Sequence, residues 1–159
     1  MERFPERSLD RVMSVLKREL MPLKSSSDVV LARQKVRQWA IELRFSLVDQ
    51  TKLVTAASEL ARNALDHGKG GQMAIEHVAN GVKAGLRLVF EDQGPGIPDV
   101  EQALKDGFTT GSGMGLGLGG SKRLVNEFSI ERLPLGLDCF VVRETKLRPL
   151  CQPRTPKRC

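Results

Sequence analysis

Glu59 and Asn63 stand one helical turn apart in the segment Glu59–Gly68, ELARNALDHG. Residues four apart on a helix share a face, so this carboxylate and this amide can point into one cleft. Asp66 and His67 continue the same face. An amide oxygen is a hard, neutral ligand, suited to a Mg²⁺ ion that also holds phosphate oxygens. A nearby carboxylate can accept a proton or orient a nucleophile. Further on, Glu91–Pro98 reads EDQGPGIP. Asp92 follows the apolar run Leu86–Phe90 and can accept a hydrogen bond from a donor such as an exocyclic amine. Gly94 and Gly96 let a flat ring approach the backbone, and Pro95 stiffens the turn. A third block, Gly111–Gly120, reads GSGMGLGLGG. Glycines just before a helix offer free N–H groups, and a helix N-terminus favours phosphate. Taken singly, the blocks also read as a solvated polar face, a strand-exit turn and a flexible linker. A linker would not interleave Met114, Leu116 and Leu118 so regularly. The order and spacing of the three suggest a nucleotide pocket built from a helix, a strand-end turn and a glycine loop.

The elements that must position these residues follow from hydropathy and punctuation. Arg18–Lys24 alternates loosely and fits an edge strand, because Pro22 cannot donate to a ladder on both sides. Ser25–Asp28 is a cluster of capping residues. Asp28 or Ser27 is expected to cap a helix to about Leu43, with Val29, Ala32, Val36, Trp39, Ala40 and Leu43 at helical spacing. A second helix is expected from Leu47 to Asp66, with Leu53, Ala57, Leu60 and Ala64 as its core stripe. The run Gly68-Lys69-Gly70-Gly71 ends it. Strands over Gln72–Val78 and Gly85–Glu91 join through Ala79-Asn80-Gly81, a hairpin signal. Glu91–Gly113 reads as loop with a short helix at Pro98–Lys105. Gly115–Phe128 reads as a helix, and Phe128–Leu133 and Cys139–Glu144 as strands. Residues 1–24 are read as an N-terminal extension with that edge strand, 25–147 as one folded domain, and 148–159 as a basic, disordered tail. Met13 is an alternative start.

Two familiar glycine motifs do not fit. Gly115, Gly117 and Gly120 match a dinucleotide fingerprint, but a Gly/Thr/Ser loop stands where that motif needs a strand. Gly120-Ser121-Lys122 has the order of a phosphate-binding loop reversed.

The 159 residues suffice for one domain with a core. Aromatic residues are 4% and Tyr is absent, so the core is aliphatic. The net charge of +6 raises nucleic-acid binding as a reading. Much of the excess sits at the ends, and neither a recognition helix nor an aromatic platform supports that reading. Three cysteines lack disulfide or metal spacing. No apolar stretch approaches the roughly 18 residues of a membrane span, and no secretory segment stands at the start. A reduced, cytoplasmic protein without direct nucleic-acid or membrane contact is expected.

Together the three blocks resemble the nucleotide fold shared by gyrase, the Hsp90 chaperone, sensor histidine kinases and MutL, the GHKL superfamily. Glu59–Gly68 is similar to its N box, Asp92–Ile97 to its first glycine box and Gly111–Gly119 to its second. SELARNAL, EDQGPGIPD, DGFTTGSGMGLGLGGSKRL and NEFSIE resemble the small bacterial serine/threonine kinases of partner-switching pathways, the stressosome switch kinases especially. The resemblance spans about Asp28 to Glu144. It implies a Bergerat fold: an α/β two-layer sandwich, a mixed but mostly antiparallel sheet packed on helices, with a glycine-rich ATP lid. It implies ATP and Mg²⁺ as cofactors. Glu59 would be the catalytic carboxylate, Asn63 the Mg²⁺ ligand and Asp92 the acceptor for the adenine amino group. Gly94, Gly96 and Ile97 would line the adenine floor. Thr109, Thr110, Gly111, Gly113, Gly115, Leu116 and Gly117 would form the lid and phosphate cradle. The implied reaction moves a γ-phosphoryl group to Ser or Thr of a STAS-domain protein. The alternative is a nucleotide-regulated switch that sequesters a sigma factor or activates a PP2C-type phosphatase. A homodimer stays open. Gly136-Leu137-Asp138 stands where family members commonly carry Gly-Thr, outside the expected pocket.

Overall fold

Ser25 and Asp28 open the first helix by satisfying each other's backbone. The Asp28 N–H donates to Ser25 Oγ at 3.4 Å, and the Ser25 N–H donates to Asp28 Oδ2 at 3.0 Å. Ser25 is thus the N-cap of a capping box, with Asp28 at its third helical position. The expectation that Asp28 or Ser27 caps is corrected, by three residues or two, to Ser25.

The computed structural model describes residues 14–66, 69–80, 83–92, 117–132 and 138–147. In chain order these form β1 (Ser14–Leu23), α1 (Ser26–Glu42), α2 (Leu47–Asp66), β2 (Gly71–Ala79) and β3 (Lys83–Asp92). Then follow α3 (Gly117–Arg123), β4 (Glu127–Arg132) and β5 (Asp138–Leu147). The strands make one sheet in the order β1-β2-β3-β5-β4. Every described pair is antiparallel, so the expected mixture does not occur among these residues. β1 is the edge strand that Pro22 implied, but it begins four residues earlier, at Ser14, with an irregularity between Val15 and Lys17.

The helices cover one face of the sheet. Val36, Trp39, Leu53, Leu60, Met73, Ile75, Leu88 and Phe90 belong to one buried cluster. Each fully buried aliphatic side chain of this kind contributes roughly 1.5–3 kcal/mol. In α2 the buried arc is wider than the expected stripe, since Val54, Ala56 and Ala61 are buried beside Leu53, Ala57, Leu60 and Ala64. Small alanines allow this close approach to β2 and β3. On α1, Lys35 pairs with Glu19 at 3.3 Å, and the Lys17 ammonium lies 4.3 Å from the Trp39 ring centroid. Both contacts fix α1 over the edge strand.

α3 is shorter than the Gly115–Phe128 expectation: it ends at Arg123, with the Leu124 N–H turning back to the Ser121 carbonyl at 3.2 Å. Val125 lies within that expected helix, and Phe128 stands both at its end and at the start of the expected strand Phe128–Leu133. They pack on the core from a turn and from β4, where β-branched and aromatic side chains fit the pleat. β3 extends the expected strand Gly85–Glu91 at both ends, starting at Lys83 and ending at Asp92. The expected Pro98–Lys105 helix and the basic tail lie outside the described residues.

Candidate functional site

α2 forms with the bounds its apolar spacing predicted. Ser46 accepts the Asp49 N–H at 3.1 Å at its start. The Gly70 N–H donates to the Ala64 carbonyl at 2.7 Å at its end. Between them Glu59 and Asn63 are half-buried, flanked by the buried Leu60, Ala61 and Ala64. They therefore sit at the border of the core stripe, where a polar group is shielded but still reachable. Asp66 is exposed, and His67 lies outside the described residues.

The chain then turns directly into β2, and Gly71, its first residue, is the register partner of Asp92, the last residue of β3. Only four residues separate the end of α2 from that pairing. The C-terminal turn of α2 and Asp92 thus share one end of the sheet. α2 also packs on β3 and α3, so Gly117, the first residue of α3, belongs to an element that touches the helix bearing Glu59 and Asn63. Asp92 is half-buried and is held by interactions within the fold. By strand alternation it lies on the same face as Leu88 and Phe90, the face that packs on the helices.

Gly94, Gly96, Ile97, Thr109, Thr110, Gly111, Gly113, Gly115 and Leu116 lie outside the described residues. The structure brings Glu59, Asn63 and Asp92 onto neighbouring elements.

One residue that shapes this end was read only as part of the glycine run that ends the helix. A Cβ on Gly71 would fall 1.8 Å from the Glu91 carbonyl oxygen, so any side chain would push the end of β3 away. Gly70, with φ at +86°, makes the turn that delivers Gly71. The sequence signal was the run itself; its purpose needed the strand pairing.

Among the described residues no trio of His, Cys, Asp or Glu gathers for a metal. A cation here would need ligands from elsewhere, and the donor set fits Mg²⁺ in one way. Asn63 offers a neutral oxygen, and nucleotide phosphates and water would complete the shell. No described helix is long and apolar enough to cross a membrane.

Similarity to known proteins gives the family. Residues 48–146 match the family described as histidine kinase-, DNA gyrase B-, and HSP90-like ATPase. The chain is 52% identical over 103 residues to the serine/threonine-protein kinase RsbT of Bacillus subtilis, covering 65% of this chain and 77% of that one. It is 30% identical over 122 residues to an anti-sigma F factor from a Thermoanaerobacter species, covering 73% of this chain and 84% of that one. The crystal structure of the RsbU and RsbW domains of a Mycobacterium tuberculosis protein matches with a TM-score of 0.56 at 21% identity. That match covers 84% of this chain and 33% of the other, and it bears on the fold alone. On the family match over residues 48–146, more than half of the sequence, and the 52% identity to RsbT, the chain belongs to the histidine kinase-, gyrase B- and HSP90-like ATPase family, the GHKL fold.

Proposed function

We propose that this chain is an ATP-dependent serine/threonine-protein kinase of a bacterial partner-switching pathway, working in the cytoplasm on a Ser or Thr of a STAS-domain antagonist. The observation that carries the reading is the half-buried pair Glu59 and Asn63 on α2, a helix that packs on β3, the strand ending at Asp92. The 52% identity to a relative named a serine/threonine-protein kinase supports the same reaction class.

The chemistry asks each residue for one thing. Asp92 accepts a hydrogen bond from the adenine amino group, which orients the base. Gly94, Gly96 and Ile97 form the floor beneath it. Thr109, Thr110, Gly111, Gly113, Gly115, Leu116 and Gly117 close over the phosphates and present N–H donors. Asn63 would hold Mg²⁺, which would supply neutralisation of the phosphate charge. Glu59 faces the incoming hydroxyl and takes its proton as the new bond forms between that oxygen and the γ-phosphorus. The bond from the γ-phosphorus to the β,γ-bridging oxygen breaks, and ADP leaves. Positioning and charge neutralisation supply most of the acceleration in such transfers. Residues 25–147, together with the edge strand β1 that completes their sheet, form the catalytic unit.

A second reading, a nucleotide-regulated switch that sequesters a sigma factor or activates a PP2C-type phosphatase, is favoured by the likeness to relatives named anti-sigma F factor. Glu59 separates the two, because a protein that only binds has less need of a carboxylate there. The test is transfer of label from γ-labelled ATP with Mg²⁺ to a panel of STAS-domain proteins from the same cell. Label on one partner, absent with Glu59→Ala while ATP still binds, supports the kinase. Bound ATP with no transfer by the unaltered chain would favour the switch.

A further inference from the structure

Around α2 the exposure of the polar residues changes in one direction. Leu60 is fully buried, Asn63 and Glu59 are half-buried, and Arg62 is exposed. At about 100° per residue, Asn63, Glu59 and Arg62 stand roughly 60°, 100° and 160° round the helix from Leu60, all in the same sense. The series therefore runs from core to solvent as amide, carboxylate and guanidinium. Side chains of a helix lean toward its N-terminus, so Arg62, three residues past Glu59, covers the surface beside that carboxylate. The helix offers it two acids at pairing distance in sequence, Glu59 three residues before and Asp66 four residues after. Among the described residues no ion pair holds Arg62. Its guanidinium, a rigid fork of donors, stands in water on the outer side of Glu59.

We propose that Arg62 is a specificity-determining residue that grips a carboxylate of the protein substrate, an Asp or Glu beside the acceptor hydroxyl. The inference rests on the kinase reading of the same helix. In that reading the nucleotide phosphates lie on the Asn63 side, the buried one, and the hydroxyl reaches Glu59 from solvent. A group farther out than Glu59 meets the incoming protein before it meets the nucleotide. The planar fork of Arg62 matches a carboxylate in a two-point pair, and a substrate seated over it removes the water that weakens an exposed ion pair. Two-point pairing fixes orientation as well as contact, which holds the acceptor oxygen in line with Glu59 and the phosphoryl group. It also selects. A segment with a cation or an aliphatic side chain in that place would leave the guanidinium covered and unpaired, which disfavours its binding.

The test is steady-state transfer from γ-labelled ATP to the STAS-domain protein that takes label from the unaltered full chain, with protein substrate and ATP varied separately. In Arg62→Ala the KM for the protein substrate is expected to rise about tenfold or more, while kcat and the KM for ATP stay within about twofold. Arg62→Lys keeps the charge without the fork and should fall between the two. Arg62→Glu should lose more, and a substrate whose acid beside the acceptor is changed to Lys should recover about tenfold of that loss. ATP binding by each variant reports an intact fold. An unchanged KM for the protein substrate in Arg62→Ala overturns the role. So does a fall in kcat or in ATP affinity at unchanged protein KM, which would place Arg62 on the phosphates, and so does the absence of recovery with every acid beside the acceptor tested. If the unaltered chain transfers no label, the kinase reading itself fails, and this role with it.

Discussion

The carbonyl oxygen of Glu91 occupies the space where a Cβ of residue 71 would sit, so the approach of Gly71 to Glu91 leaves no room for a side chain. The obstacle is backbone, which cannot swing aside like a side-chain tip. Next to it Asp92 pairs with Gly71 in register, and Gln72 Nε2 donates to Glu91 Oε2 at 2.9 Å. The geometry of the β3 end therefore rests on a missing side chain.

Gly71→Ala should displace that end and Asp92 with it. We expect a loss of about 1–3 kcal/mol in stability, the usual range for a forced backbone shift, and weaker ATP binding. Denaturant unfolding and nucleotide titration check both. Wild-type ATP affinity in the variant would show that Asp92 does not need this pairing.

Asp92→Asn and Asn63→Ala should both weaken nucleotide binding, but in distinguishable ways. Loss of a charged acceptor to a bound amine costs about 1.5–3 kcal/mol, or roughly ten- to a hundredfold in affinity. For Asp92→Asn that loss should appear with or without Mg²⁺. For Asn63→Ala it should appear only when Mg²⁺ is present. Calorimetry with and without the metal separates them, and equal Mg²⁺ dependence in the two variants would remove the metal role from Asn63.

The α1 cap should show in the acid stability limb. The Asp28 carboxyl is held below its ordinary range, first by the Lys24 N–H, against an opposing desolvation effect, and then by the Ser25 N–H and hydroxyl. A carboxylate with a lowered folded-state pKa stabilises at pH above its unfolded value of about 3.9. That contribution disappears as pH falls through the folded value. Asp28→Asn should therefore melt below wild type at neutral pH, and the two curves should converge below about pH 4. A constant gap across that window would mean the carboxylate charge does not matter.

Glu76 is 5% exposed on the sheet face opposite the helices, between cross-strand Arg18 and Arg87. Arg18 Nε lies 3.2 Å from Glu76 Oε1, and Arg87 Nε donates to Glu76 Oε2. Glu76→Ala leaves two cations facing each other and should cost about 3 kcal/mol. Arg18 is 41% exposed, so Arg18→Ala should cost no more than about 1 kcal/mol. Chemical denaturation of both variants checks the order, and the reverse order would mean that Arg18 anchors the row.

Local structure was legible where one physical signal dominated. Leu53, Ala57, Leu60 and Ala64 repeat with the helical period, and the glycine run punctuates the C-terminal end of α2, so its bounds followed from the sequence. Glu59 and Asn63 on one face of that helix followed equally, because four-residue spacing fixes their relation whatever packs against them. The capping cluster before α1 was legible, but not which of its members caps: Ser25, Ser26, Ser27 and Asp28 are all good caps, and the hydrogen bond is decided by where the chain leaves β1. The length of α3 was not legible, since Val125 and Phe128 carry apolar spacing that serves a helix or a turn and strand alike until a core is there to receive them. The strand order β1-β2-β3-β5-β4, the demand for glycine at residue 71, and the burial of Glu76 between two arginines belong to tertiary structure alone. Each depends on which distant residue stands opposite, and a slip of one residue would turn every side chain of a strand to the other face. The sequence by itself determined that Glu59 and Asn63 share a face of α2; only the pairing of β2 with β3 decided that Asp92 stands opposite Gly71, which four residues separate from the end of that helix.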